Sequence, residues 1–520
     1  MGFIRFGLWL LLFSHPLSAD SYWSHVPGFG SVQLTELNQE QHTALASHLK
    51  LSQEDATLWL DHLPAQLDAL SCSTLDAQSQ PLPAYVDAGY QVVSYAGVLR
   101  FKTDDQTKDT LWWLPWPLLP SLSQIRAELE DVALQVHQPL LLTEQDLKQN
   151  DQFILISGSS DQNPSYFALK LNPLHLPELL WSATTAVAGF EELTGAMAQP
   201  VLLAEQVQGP GESSLSLLLP NTGATEQKTL FYKVEALTGK VRGRLGAGQK
   251  VSDLSGALTV YDQNRDSISD SVVFSTKAGQ VWQVQMENHH FYDMQPIADL
   301  SSLDFSDIQF VRTLYAAVPV GGSGSDFHSR RSQWLVLLGA LRQQQSVLVL
   351  LKLQKGSSAT SADLVDRTLP AAPGLAVLTD QDWQQIQQKN GWYSHIAGRL
   401  TQPPVVAAGV VYLSLSQQDP TQICSIDQAS SALMALHLHH ASSVYRQPLL
   451  PLEKTVGALV VKTNAQGGFS LIDQSQQQVL IDNLLEISPD CSHCSKPLQQ
   501  VSFPRWQLMG TYHSEEGAYE

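Results

Sequence analysis

Seven times along this 520-residue chain a short, apolar, strand-forming run appears, the runs separated by segments that contain Gly, Asp, Asn and Ser. The runs are Gly97-Val-Leu-Arg-Phe101, Ser165-Tyr-Phe-Ala-Leu-Lys-Leu171, Leu230-Phe-Tyr-Lys-Val-Glu-Ala236, Gly279-Gln-Val-Trp-Gln-Val284, Val347-Leu-Val-Leu-Leu-Lys-Leu353, Ala432-Leu-Met-Ala-Leu436 and Gly468-Phe-Ser-Leu-Ile472. Short apolar runs bounded by turn residues read as strands. A strand type that recurs at intervals marks a repeat fold, in which each unit buries its apolar faces against the next. The chain is therefore expected to be all-β, a β-propeller of about seven blades, each run leading into a turn such as Leu237-Thr-Gly239. The runs stand about forty to eighty residues apart, more than a compact four-stranded blade requires, so loops are inserted. A pair of β-sandwiches also yields alternating strands with turns, but repetition of one strand type favours the propeller.

The ends of the chain have a different character. Arg5, the apolar run Phe6 to Phe13 and the small pair Ser18-Ala19 have the order of a signal peptide over residues 1–19, so export is expected, with cleavage after Ala19. Leu17 stands where Ala is more usual, which leaves an uncleaved amino-terminal anchor as the alternative. No later stretch of about twenty apolar residues occurs, so no transmembrane segment is expected in the mature chain. Residues 20–84 read as a short helical extension: Asn38 can cap, Leu45 and Leu49 share a face, and Ser52-Gln-Glu-Asp55 has the form of a capping box. Pro81-Leu-Pro83 then punctuates the chain, and the propeller is expected from Tyr85 to residue 490.

Residues 491–520 form a tail that opens on Cys491-Ser-His-Cys494. With Cys72 and Cys424 these are the four cysteines of the chain, and in an exported protein they are candidates for disulfides, with three possible pairings. A redox or zinc reading of Cys491 and Cys494 lacks a second C-x-x-C and a βαβ context.

Charge narrows the choice of partners. The chain has 30 Lys and Arg against 50 Asp and Glu, a formal net charge of −20, and its largest basic cluster is Arg330-Arg331. Nucleic-acid binders need a basic stripe to displace counterions, so DNA and RNA are not expected as partners.

One segment carries metal-binding chemistry. Asp262, Asn264, Asp266 and Asp270 occupy positions 1, 3, 5 and 9 of a loop, with the Ile268 carbonyl available at position 7, as in the oxygen series of an EF-hand. Hard oxygen donors suit Ca2+, and zinc would call for His or Cys. Ser267 replaces the glycine of the sharp turn and Val273 stands where the bidentate Glu belongs, so affinity is expected to be modest.

No enzymatic motif emerges. Gly321-Gly-Ser-Gly-Ser325 fails as a nucleophile elbow at its last residue, and neither a zinc-protease helix nor a phosphate-binding loop occurs. His437 and His439, two apart on an expected strand and followed by His440, are read as surface histidines rather than metal ligands. Trp112, Trp113 and Trp116 read as core, with a sugar- or peptide-binding platform as the alternative.

Several segments, in order, resemble the carboxy-terminal propeller of the PilC/PilY family of type IV pilus proteins. They are Tyr95 to Phe101 with Leu111 to Pro120, Gly158 to Leu171 with Pro177 to Trp181, Leu254 to Trp282, Gly391 to Tyr393 with Gly398-Arg399, and Pro403 to Tyr412 with Asp419 to Cys424. The resemblance spans residues 86–475. It implies a pilus-tip adhesin and assembly factor that partners minor pilins, contacts host or abiotic surfaces, and is regulated by calcium at the loop 262–270. The expected location runs from the periplasm and outer membrane to the cell surface and the fimbrium. Family members often carry a large amino-terminal region with a von Willebrand A-like domain, whereas here about sixty residues are expected to lie between the signal peptide and the propeller. The chain is expected to act by binding and not as an enzyme. A quinone-dependent periplasmic oxidoreductase and an extracellular carbohydrate-binding propeller are the alternatives.

Overall fold

Each of the seven runs forms a strand, and each strand belongs to a different sheet. The computed structural model describes residues 21–25, 43–62 and 80–484, with gaps within the last two; residues 1–20, 26–42, 63–79 and 485–520 lie outside, as do loops such as 319–330, 369–379 and 417–430. Among the described residues the chain is all-β, organised as seven sheets that follow one another along the sequence.

The seven runs share a place in their sheets. Val98–Thr103, Ser165–Asn172, Thr229–Glu235, Gln280–Glu287, Gln345–Lys352 and Ser431–His437 are each the third strand of an antiparallel meander in sheets one to six. Phe469–Asp473 is the middle strand of the three-stranded seventh sheet. An inner strand covered on both faces reads as a near-continuous apolar run, while its side chains still alternate between the faces. Gln345–Lys352 illustrates this. Val347, Val349 and Leu351 enter the core shared with the fourth sheet, whereas Leu348 and Leu350 enter the core shared with the sixth.

Five apolar clusters occupy the spaces between successive sheets from the second to the seventh. Tyr232 and Val234 of the third sheet face the second, and Phe231 of the same strand faces the fourth, its ring edge-on to Phe274 at 5.0 Å. Sheets stacked in chain order, each sharing one core with its predecessor and another with its successor, are the arrangement of propeller blades.

The amino-terminal segment contains both helix and strand. Residues 53–56 are helical, and Ser52 Oγ accepts the Asp55 backbone N–H at 3.1 Å as an N-cap does. Ser21–His25, however, pairs antiparallel with Leu111–Pro115, and Gln80–Pro81 pairs with Tyr90–Tyr95. The first sheet therefore takes in residues on both sides of the boundary expected at Tyr85. No helix among the described residues is long and apolar enough to cross a membrane.

An insertion separates the third and fourth strands of the fifth sheet, Gln345–Lys352 and Gly391–Ile396. Ala359–Thr360 crosses to the fourth sheet, Leu364–Asp366 runs parallel to Gly391–Ile396, and the helix Asp380–Gln388 follows. Lys352 holds the helix end, its Nζ donating to the carbonyls of Ile386, Gln387 and Lys389 at 2.7, 2.9 and 2.7 Å. A cation at a helix C-terminus satisfies carbonyls that have no intrahelical partner. Burial pulls the Lys352 ammonium down to about 8, which keeps it charged at neutral pH.

A tryptophan and a turn join neighbouring sheets in the same way at two places. Trp181, on the last strand of the second sheet, donates from Nε1 to Ala236 O of the third at 2.8 Å. Trp392, on the fourth strand of the fifth sheet, donates to Leu438 O of the sixth at 3.0 Å. Both acceptors directly follow the third strand of their sheet. The residues three further on, Gly239 and Ala441, have φ of +68° and +53° and close equivalent turns by donating to Glu235 O and His437 O.

Gly391 begins the strand that carries Trp392, with φ +150°, and a Cβ there would fall on the Leu350 carbonyl oxygen of the paired strand. Gly391→Ala is expected to lower the unfolding free energy by about 3 kcal/mol, combining overpacking with backbone strain. Urea unfolding followed by intrinsic fluorescence measures the shift.

Candidate functional site

The loop 262–270 joins the first two strands of the fourth sheet, Leu254–Tyr261 and Ser271–Thr276. The Asp266 backbone N–H donates both to Asp262 Oδ1 at 3.0 Å and to Asn264 Oδ1 at 2.9 Å, so these two oxygens converge. The Ile268 N–H donates to Asp266 Oδ1 at 2.9 Å, and Asn264 Nδ2 donates to Asp266 Oδ2 at 3.1 Å. Asp270 Oδ1 accepts the Gln263 N–H at 2.7 Å, which carries the last carboxylate of the series back to the loop entrance. Short Asp and Asn side chains fold a loop in this way because their oxygens reach backbone N–H groups two to four residues on.

Asp262, Asn264, Asp266 and Asp270 thus take part in one hydrogen-bonded loop that also includes the Ile268 N–H. Every donor in the series is an oxygen, the ligand type that suits a hard cation such as calcium. Among the described residues no three His, Cys, Asp or Glu side chains stand close enough to share a metal ion. The left-handed turn falls at Arg265, with φ +65°, whereas the EF-hand analogy places it at 267, a residue outside the described set.

Contacts to other sheets surround the loop, and the sequence reading did not find them. Ser269 N–H donates to Ala204 O at 2.8 Å, and Ala204 N–H donates to Ser269 Oγ at 3.0 Å. Trp334 Nε1 donates to Gln263 O at 3.3 Å. The Arg265 guanidinium carbon lies 4.8 Å from the centre of the Tyr315 ring. The Trp334 ring lies 4.7 Å from that of Tyr261 and 5.2 Å from that of Tyr315, centre to centre. Burial pushes the Tyr261 phenol up to about 12, and its oxygen accepts from Gln283 Nε2 at 2.7 Å. These partners lie as far as 71 residues from the loop in sequence, so no local pattern announces them.

The other sequence candidates are placed differently. Cys72, Cys424, Cys491 and Cys494 lie outside the described residues, as do the expected signal peptide, the carboxyl-terminal tail and Trp116. Trp112 and Trp113 occupy the strand Leu111–Pro115 of the first sheet. The strand expected to display both His437 and His439 ends at His437, and the turn after it brings His440 against His437 instead, ring centres 4.6 Å apart. Burial lowers the pKa of both rings, that of His440 to about 3, with further lowering from His437, Arg367 and His439. Between the inserted helix and the fifth sheet lies a cavity of about 10 Å³, lined by residues including Lys352, Trp383, Trp392 and His439, with room for at most one water.

No protein-family model matches the chain, and no curated protein matches it. Among solved structures, the PilY1 C-terminal domain of Pseudomonas aeruginosa aligns over 75% of this chain and 92% of its own, with 14% identity and a TM-score of 0.49. A quinonprotein alcohol dehydrogenase-like protein of Bacteroides thetaiotaomicron aligns over 56% of this chain and 84% of its own, with 9% identity and a TM-score of 0.16. At these scores the all-β architecture rests on the seven sheets themselves, which stack in chain order and place the acidic loop at the head of the fourth.

Proposed function

We propose that this chain is an exported, type IV pilus-associated propeller protein that works by binding, at the pilus tip with minor pilins, and takes up calcium in the loop 262–270. The observation that carries the reading is that loop. An oxygen-only series sits between the first two strands of the fourth sheet, one strand ahead of Gln280–Glu287, which carries Trp282. It stands at the corresponding place among the ordered segments that resemble the PilC/PilY propeller. Asp262, Asn264, Asp266, the Ile268 carbonyl and Asp270 would hold the ion. When bound, calcium supplies a double positive charge that offsets three carboxylates. The residues of the loop fix the connection between two strands and so the shape of the surface they present. No chemical step is assigned to the protein.

Calorimetric titration of the full chain with calcium tests the reading, beside an Asp262→Ala, Asp266→Ala double variant. Stoichiometric binding is expected in the native chain and at least a hundredfold loss of affinity in the variant, on the order of the change that removing two carboxylate ligands brings. Absence of binding in the native chain removes the calcium half of the proposal. Co-purification with minor pilins from sheared pilus fractions tests the other half.

A further inference from the structure

We propose that the turn 437–442 is an acid-sensitive joint: proton uptake by its histidines frees the fifth-sheet insertion from the sixth sheet while both sheets stay folded. The joint is independent of the calcium reading above. His437 ends the strand Ser431–His437, and its backbone closes the turn, with Ala441 N–H on His437 O at 2.8 Å and His437 N–H on Ser442 O at 2.9 Å. This closure brings the His437 and His440 rings together, 4.6 Å between centres and 34° between planes. The Ser442 backbone N–H points at His440 Nδ1, 3.4 Å away, which assigns Nδ1 as an acceptor and Nε2 as the protonated nitrogen of a neutral ring. A second proton on His440 would turn that acceptor into a donor facing a donor.

The insertion meets this turn through Arg367 and the helix Asp380–Gln388. Arg367, its side chain 14% exposed, donates from Nε to His440 O at 3.0 Å and from Nη2 to Ser442 Oγ at 3.1 Å. Trp383 of the helix stands edge-on to the His440 ring at 6.1 Å. The titratable groups facing the rings are His439 on the turn itself, Arg367, Asp382 at 3.7 Å from Arg367, and Lys352 across the small cavity that His439 lines. His395 of Gly391–Ile396 packs on Tyr393 instead. Burial already holds both rings below the ordinary imidazole range. Protons on His437 and His440 would therefore set three cations, counting Arg367, against the Asp382 carboxylate, in surroundings that screen repulsion poorly. The grip of the insertion on the fifth sheet is separate. It consists of Lys352 Nζ on the three carbonyls at the helix end, Asn390 N–H on Asp363 O at 2.9 Å and Arg367 N–H on Tyr393 O at 2.8 Å. None of these bonds uses an imidazole, so acid loosens the seam with the sixth sheet and spares the one with the fifth.

Two reporters on the full chain test this between pH 7.5 and pH 5. One is hydrogen-exchange protection of the Ser442 amide, whose acceptor is His440, corrected for the intrinsic pH dependence of exchange. The other is Trp383 emission, isolated by subtracting the Trp383→Phe variant. The Asn390 and Leu348 amides serve as controls for the fifth-sheet anchor and the sheet itself. Ser442 protection is expected to fall about thirtyfold, the factor for one imidazole that is held neutral in the joint and has its ordinary pKa near 6.5 once released. Trp383 emission is expected to shift to longer wavelength with the same midpoint, while both controls hold. In the His437→Gln, His440→Gln double variant both responses are expected to vanish. If that variant does not fold, His440→Gln alone carries the test and is expected to keep less than a third of the fall. Unchanged reporters in the native chain, or an equal response in the variant, overturn the joint. A Ser442 response with Trp383 unmoved overturns release of the insertion, and a parallel loss at Asn390 or Leu348 shows general unfolding and overturns it as well.

Discussion

Trp392→Ala is expected to lower the unfolding free energy by about 3–5 kcal/mol, the range for deleting a fully buried aromatic side chain. Trp392 is 0% exposed and lies in the cluster shared by the fifth and sixth sheets, with Leu350, Ile386, Leu438 and Ala441 among its members. Its removal opens a void that both sheets line. It also strips the Leu438 carbonyl of the indole donor, and an unsatisfied buried acceptor costs about 1–3 kcal/mol. Trp392→Phe separates the two effects, since it keeps most of the ring and loses the donor, and about half the destabilisation is expected to remain. Urea unfolding followed by far-ultraviolet circular dichroism gives both values without depending on tryptophan emission. An alanine variant within 1 kcal/mol of the native chain would sink the view that this indole joins the two sheets.

The second large effect concerns pH. His437 and His440 stack where the sixth-sheet turn meets the insertion of the fifth sheet. The groups around them are His439 on the same turn, Arg367, whose Nε donates to His440 O at 3.0 Å, Asp382, 3.7 Å from Arg367, and Trp383, edge-on to His440 at 6.1 Å. A proton on either ring would add a cation beside Arg367 in a buried setting.

In the unfolded chain an imidazole takes up its proton near its ordinary pH of 6.5; in the folded chain His440 resists until about 3. Across that window the unfolded state binds more protons, so stability falls as pH falls below about 6.5 and the loss is complete near 3. Between pH 7.5 and pH 5 the contribution of His440 is expected to be about 2 kcal/mol. Urea unfolding at both pH values, in the native chain and in His440→Gln, isolates it from the carboxylates. Equal pH dependence in the two chains would show that the ring is not held neutral.

The sequence disclosed most where burial is two-sided. A strand covered on both faces is apolar over nearly all its length, so Val347 to Leu351, Leu230 to Val234 with its one buried Lys233, and Ala432 to Leu436 stood out without any alignment, and each identified a different sheet. The inserted helix Asp380–Gln388 escaped notice because its only apolar residues are Trp383 and Ile386 among Gln and Asp, too few to show a helical period. The strand Ser21–His25 escaped for a different reason: its partner, Leu111–Pro115, lies far along the chain, and five residues carry little pattern of their own. In the loop, spacing made the oxygen series legible. The grip of Ser269 on Ala204 and of Trp334 on Gln263 was not, because each depends on residues that only folding brings together.

The five described cores each belong to two adjacent sheets, and this governs how the molecule responds to load. Cohesion of this kind is a sum over neighbouring pairs, as in a linear array of repeats. Tension entering at one point is resisted first by a single junction, and a junction that opens removes support only from the next. Extension then proceeds in steps, each releasing one sheet's length of chain and absorbing work as it goes.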